Sequence, residues 1–321
     1  MKRRSIIKLV AAMPIAHSQV VRAQDRTNPI RLVVPYAAGG QTDTLARVLA
    51  VSMEKTLGQT VVTENRPGAG ALLGTRFVIQ SPPDGNTLLF HNSGMVSTAV
   101  LRKAPPYNPV KDLDPIAMVG VSPNMLMVHE SVPARTIPEF LAYARSRPNG
   151  IECANSGNNS GGHISALMLQ KLANIKIIHI PYKGSAEVTT ALLSGEVKMQ
   201  ISVTTESLNP HIKAGKIRVL GVATKERSQL APELPTIGDY VPGYAMDGWF
   251  GILTSAGVDA ARKEQLAAAI QKALTEEPIK RKFLELNMGP TWEGPSDFTR
   301  RVGDTVGYYE GLIEKLNLVK T

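Results

Sequence analysis

Cysteine is almost absent: Cys153 is the only one in 321 residues, so the chain can form no internal disulfide and no thiolate metal site. Stability must therefore come from packing, and Cys153, two residues after Ile151 in an expected strand, reads as a small buried apolar residue. Aromatic residues make up only 5% of the chain and no arginine–aromatic repeat is present, which removes any platform for stacked bases. Lysines and arginines are scattered among acids, so the basic stripe of a nucleic-acid binder is missing too. His91, His129, His163, His179 and His211 show no paired metal spacing. Neither a metal nor a cofactor is expected.

Long apolar runs are also lacking. Leu9–Ala16 is the amino-terminal apolar stretch, interrupted by Pro14 and far short of the roughly 20 residues that cross a bilayer. Lys2, Arg3, Arg4 and Lys8 precede it and the small-residue site Val21-Arg22-Ala23 follows, the pattern of an export signal over residues 1–23 cut after Ala23. The Arg3-Arg4 pair leaves Sec and twin-arginine export both open. Cleavage would remove five basic residues (Lys2, Arg3, Arg4, Lys8, Arg22) and no acid, taking the formal charge from +9 to +4. With no lipid-attachment cysteine near the cut, a mature chain starting at Gln24 is expected to diffuse freely in the periplasm of a Gram-negative bacterium.

What is present is a repeated strand-then-helix pattern with short turns, which indicates α/β layers with mostly parallel sheets covered by helices. Arg31–Val34, Thr60–Thr63 and Thr87–Phe90 read as the first strands; Leu45, Leu49, Met53 and Leu57 line one helix face, and Gly58 stops it. A second set of strands is expected at Asn124–Val128, Ile151–Ala154, Lys176–Ile180, Lys198–Val203 and Ile217–Ala223, with Thr136 and Glu139 at capping-box spacing before a helix. A breaker-rich connector with Pro232, Pro235, Gly238, Pro242 and Gly243 precedes a strand at Trp249–Leu253. The last helix, with Phe298, Val302, Val306, Tyr309 and Ile313 on one face, is expected to pack on the first lobe. Residues 24–123 and 225–321 then form one lobe and 124–224 the other.

Five short motifs stand out along the chain. They are Pro35-Tyr36-Ala37-Ala38-Gly39-Gly40-Gln41-Thr42-Asp43-Thr44-Leu45-Ala46-Arg47, Glu64-Asn65-Arg66-Pro67-Gly68-Ala69-Gly70, Ser81-Pro82-Pro83-Asp84-Gly85, Ile180-Pro181-Tyr182-Lys183-Gly184 and Ala214-Gly215-Lys216-Ile217-Arg218. Together they resemble the substrate-binding proteins of tripartite tricarboxylate transporters, also called Bug proteins, over nearly the whole mature chain. The resemblance implies a two-lobed periplasmic binding protein fold with a ligand cleft between the lobes. It further implies no catalysis, a small organic carboxylate held by loops at strand ends, and delivery of that ligand to membrane transporter subunits; the receptor itself is expected to be a monomer.

The first loop agrees physically with that implication. It runs from a strand through Tyr36, Ala38, Gly39 and Gly40 into a helix, presenting backbone N–H groups at the positive end of a helix dipole. Thr42 is expected to cap the helix, and Asp43 to stabilise its first turn while orienting water. Gly39 and Gly40 permit close approach of the backbone to a ligand. The opposing loop, Asn155 to His163, is dense in glycine and small polar side chains; Asn155, Ser156, Ser160, Gly161 and His163 are its candidate contacts. Gly162 stands where many relatives of this kind carry serine. Tyr182 and Lys183 follow a strand and are candidates to line the cleft.

Enzyme signatures fit less well. Gly68-x-Gly70-x-x-x-Gly74 is one residue too long for the common dinucleotide fingerprint, and Phe90-His91 stands where a ribose-binding acid is wanted. Gly157-Asn158-Asn159-Ser160-Gly161 has one residue too many for a nucleophile elbow. An exported hydrolase or isomerase acting in the cleft stays open at this point as the alternative to a receptor.

Overall fold

The computed structural model describes residues 28–316 apart from 159, 205 and 247; the expected export signal and the start at Gln24 lie outside them. In chain order the first elements are β1 (Ile30–Val34), α1 (Gln41–Leu57), β2 (Val61–Asn65), α2 (Leu72–Ile79), β3 (Thr87–Asn92), α3 (Gly94–Val100) and β4 (Leu113–Val121). Then come β5 (Met125–His129), α4 (Ile137–Arg145), β6 (Ile151–Asn155), α5 (Gly161–Leu172), β7 (Ile177–Pro181), α6 (Ser185–Leu193), β8 (Met199–Ser202), α7 (Asn209–Lys213) and β9 (Ile217–Val222). The chain finishes with β10 (Trp249–Ser255), α8 (Ala260–Thr275), α9 (Glu277–Glu285), β11 (Gly289–Glu293) and α10 (Pro295–Leu316).

Two sheets result, ordered β11-β4-β10-β3-β1-β2 and β7-β6-β8-β5-β9. In the first, β1 to β4 share a direction while β10 and β11 oppose it; in the second only β5 runs against the rest. The α/β class with helices on both sheets is thus as the periodicity indicates. Two strands escaped the pattern. β4 contains Pro115, which argues against a central strand, but here the proline lies beside a register shift opposite Leu253. β11 is half-buried throughout and carries Pro290 in the edge strand of its sheet, beside a register shift, a place where proline is tolerated.

Apolar spacing places the helices. Leu45, Leu49, Met53 and Leu57 of α1 are buried against the first sheet together with Leu266 and Ile270 of α8 and Phe283 of α9. Gly58 ends α1 in the left-handed region, its N–H donating to Glu54 O. The opposite face is covered by α2, α3 and α10, and this cluster runs on without a break into the second sheet through Leu126, Phe140, Ile164 and Met168. Phe298, Val302 and Tyr309 of α10 lie in it fully buried, Val306 and Ile313 partly so. Cys153 is buried in the same cluster, and burial pushes its thiol up to about 12, out of reach of nucleophilic chemistry.

The chain crosses between the sheets twice, after β4 and before β10. The crossings lie side by side: Ser122 N–H donates to Gly248 O (3.3 Å), Ala223 N–H to Asn124 O (2.7 Å) and Met246 N–H to Ala223 O (2.7 Å). Both sit at the carboxyl ends of the co-directed strands. The loops after β1 and β6 belong to that same end.

Candidate functional site

Asp43 organises the loop after β1. Its carboxylate accepts from Gly39 N–H (2.9 Å), from Asn65 Nδ2 (3.0 Å) and from Arg47 Nη2 (2.9 Å), and Asn65 Nδ2 also reaches Tyr36 O (3.1 Å). The helix boundary is Gly40, extended at φ −79°, and no side chain caps it; Thr42 is buried one residue inside the helix. The cap expected at Thr42 is therefore corrected, and so is water orientation by Asp43, whose oxygens are taken by the loop itself. With neither residue covering the helix end, the first-turn N–H groups of α1 are left facing outward, the arrangement that receives an anion.

The glycine pair divides its tasks. Gly39 adopts φ +85°, while Gly40 needs no unusual backbone and a Cβ there would meet only Ala37 O at 3.8 Å. Ala38, Gly39 and Gly40 are exposed. The Tyr36 hydroxyl is turned inward to His91 Nδ1 (3.3 Å), which also accepts from Asn92 N–H (2.8 Å), placing the ring proton on Nε2. Burial holds His91 at about 3, so it stays neutral, and burial also raises the Tyr36 phenol. Tyr36 shapes the loop through its backbone and its ring; its hydroxyl is already committed.

Burial raises the Asp43 carboxyl, but hydrogen bonds from Arg47, Gly39 and Asn65 and the Arg47 charge outweigh it and hold the group below its usual range. A depressed carboxyl contributes stability that is complete above the unfolded value near 3.9 and is lost as pH falls through the folded value. Asp43→Asn is expected to cost about 1–3 kcal/mol at pH 7, with the gap to the parent narrowing below about pH 4. Urea unfolding across that range checks it; a constant gap overturns it.

On the second sheet, Ser160 is the N-cap of α5, its Oγ accepting from His163 N–H (3.3 Å), and Asn155 Oδ1 accepts from Gly157 N–H (3.1 Å). Asn159 lies outside the described residues, whereas Ser156 is exposed and Gly161 half-buried beside it. The His163 ring stands edge-on to His179, centroids 5.0 Å apart; burial first and the His179 charge second hold it at about 4. His163 therefore brings no positive charge to this loop at neutral pH. Tyr182 donates its hydroxyl to Glu196 (2.9 Å), and its N–H joins Asn155 O (2.8 Å). Lys183 is exposed, its N–H bonded to Glu187 (3.0 Å). Tyr182 thus reaches the site through its backbone, and Lys183 is a surface side chain.

A pocket of about 30 Å³ opens where β6 and β8 end, lined among others by Ala154, Asn155, Gly162, Ser185, Gln200 and Ser202. The position follows from topology. The helix after β6 covers one face of the sheet and the helix after β7 the other, which leaves a crevice between neighbouring strands β6 and β8. Ser185, Thr189, Gln200 and Ser202 were not legible as site residues in the sequence. One signal was available: Gln200 stands between the apolar Met199 and Ile201 in an expected strand. No charged side chain lines the pocket among the described residues.

Comparison with known proteins fits this geometry. A family model described as the tripartite tricarboxylate transporter family receptor matches residues 45–318. Protein BugT of Bordetella pertussis is 30% identical over 290 residues, covering 89% of each chain. An R. palustris protein solved with adipate superposes with a TM-score of 0.83 at 29% identity, over 91% of this chain and 98% of that one. MatC of Rhodopseudomonas palustris, solved with malate, gives 0.80 at 28% identity over 89% and 98%.

Proposed function

The chain belongs to the tripartite tricarboxylate transporter receptor family, and from that membership we propose that it captures a small organic carboxylate in the periplasm for a membrane transporter. The lobes are residues 24–123 with 225–321, and residues 124–224. The observation that carries the reading is the uncapped start of α1 at Gly40, at the end of the first sheet where both crossings lie and where the β6 loop of the second sheet also emerges. A carboxylate there meets first-turn N–H groups that no side chain caps among the described residues, and no arginine is required. The ligand is gripped by both loops only when the lobes close, so its differential affinity draws the population toward the closed form, which the transporter subunits recognise. The malate and adipate of the two solved relatives make aliphatic carboxylates the first probes. The export signal over residues 1–23 supplies the periplasmic location in this reading, and the receptor acts as a monomer.

Calorimetry of the chain from Gln24 onward with malate, adipate, succinate and butyrate tests it, with product analysis of each mixture. At least one is expected to bind at one site per chain and to be recovered unchanged. No binding across the series, or consumption that Ser160→Ala abolishes while binding persists, overturns the reading.

A further inference from the structure

The charge that the chain carries after residue 23 is not shared between the lobes. Residues 124–224 contain ten lysines and arginines against six glutamates and no aspartate, and this excess accounts for the whole formal charge of +4. The eight ion pairs found among the described residues all lie outside that stretch. Topology then gathers the unpaired cations at one end of the second sheet. Lys176, Lys198 and Lys216 stand one residue before β7, β8 and β9, three strands that share a direction. Their backbones are built into the sheet: Lys176 O accepts from Ile151 N–H (3.0 Å), Lys198 O from His129 N–H (3.1 Å) and Lys216 O from Glu130 N–H (2.9 Å). In the order β7-β6-β8-β5-β9 each is two strands from the next, so they form a row with steps of about 10 Å.

Arg145 and Arg147, at the end of α4 before β6, and Arg218, the second residue of β9, join the row. Lys176, Lys216, Arg145 and Arg147 are exposed, Lys198 and Arg218 half-buried. Their bonds go to neutral carbonyls, Lys176 Nζ donating to Pro148 O (3.3 Å), Lys198 Nζ to Gly195 O (2.7 Å) and Arg218 Nη2 to Glu130 O (2.8 Å), so the charge stays uncompensated. Glu130, Glu139, Glu152 and Glu196 share this end, and none of them forms an ion pair among the described residues. A helix end accounts for a cation such as Arg145, whereas the three lysines that lead strands have no such structural task.

We propose that this end of the second sheet docks on an anionic phospholipid surface. A protein partner is anchored by apolar and aromatic side chains, and Ile178 is the one exposed large apolar side chain described in residues 124–224. A headgroup layer needs no such anchor: it attracts each lysine or arginine separately, roughly fivefold per residue, and suits a row of mobile charges. The loops after β6 and β8 leave from the opposite end of the sheet, so docking keeps the cleft clear of the bilayer. This goes beyond the receptor reading and does not depend on which ligand the cleft takes.

The test is co-sedimentation of the chain from Gln24 onward, which lacks the basic residues of the expected signal, with phosphatidylcholine vesicles alone or containing about one-third phosphatidylglycerol. Partition to the anionic vesicles is expected to be at least about tenfold stronger at about 0.05 M salt and to vanish at about 0.5 M. Lys176→Glu, Lys198→Glu and Lys216→Glu together should lower it at least about tenfold, and the same three changed to Gln repeat the test should that variant misfold. Lys55→Glu, Lys103→Glu and Lys272→Glu, an equal change of charge on the other lobe, should leave it within about threefold. Saturating adipate or malate should not alter it. Equal partition to both vesicles, persistence at high salt, or an equal loss in the control variant overturns the proposal. Retention on immobilised polyglutamate with none on vesicles overturns it in favour of an acidic protein partner.

Discussion

Gly162→Ser is expected to destabilise the second lobe and to remove ligand binding, whereas the neighbouring Gly161→Ala should do neither. A Cβ on Gly162 would stand 2.4 Å from the carbonyl oxygen of Ile201, a backbone atom of β8 that cannot turn aside. The start of α5 must then lift off the strand, at a cost of about 1–3 kcal/mol for forced overpacking. The movement also displaces the Ser160 cap and opens the pocket between β6 and β8. At Gly161 a Cβ meets nothing nearer than Met246 Cε at 4.0 Å. Denaturant melts of the two variants, each with and without adipate, make the comparison. Equal stability would show that the helix entrance yields freely and that glycine is not required there.

Gly40→Val is expected to abolish the ligand-induced rise in melting temperature while leaving the fold intact. Position 40 has an ordinary extended backbone and open space around its Cβ, so valine costs the unliganded protein little. The branched side chain instead stands over the first-turn N–H groups of α1, where the anion must approach. Gly39→Val is the contrast: at φ +85° a β-branched residue is strained, and a loss of about 1–3 kcal/mol in stability should accompany any loss of binding. At a hundredfold excess over Kd a bound ligand contributes about 2.7 kcal/mol, so its disappearance is plain in a thermal melt. Circular dichroism establishes that the variant is folded. A folded Gly40→Val protein with the full shift places the carboxylate elsewhere.

Periodicity reads well where one side chain spacing decides the element. Leu45, Leu49, Met53 and Leu57 specify α1, and short apolar runs between turns specify β1 and β5 to β10 to within a residue or two. It fails at β4 and β11, where Pro115 and Pro290 argue against strands and only the neighbouring β10 and the sheet edge make them tolerable. In the site, loops were legible and side chain roles were not. Nothing local indicates that Asp43 turns back to Gly39 and across to Asn65, because that contact depends on β1 and β2 lying in register, Val34 beside Asn65. Gln200 comes to face Met127 only once β8 lies beside β5. Gly162, an apparent departure from the family pattern, is explained by one close approach that no sequence spacing reveals.

The place of β10 has a consequence for how the chain reaches this structure. All strands of the second sheet lie between Met125 and Val222, so that sheet has its full set of strands in one continuous stretch. The first sheet does not: β3 and β4 are joined only through β10, which is made last but one among its strands. Until Trp249–Ser255 inserts, the edges of β3 and β4 stay open, each a template for pairing with another chain. Pairing across so long a sequence separation is slow. A nascent or truncated chain ending before Trp249 therefore holds one sheet ready to close and another split in two, and aggregation of such fragments should begin at β3 and β4.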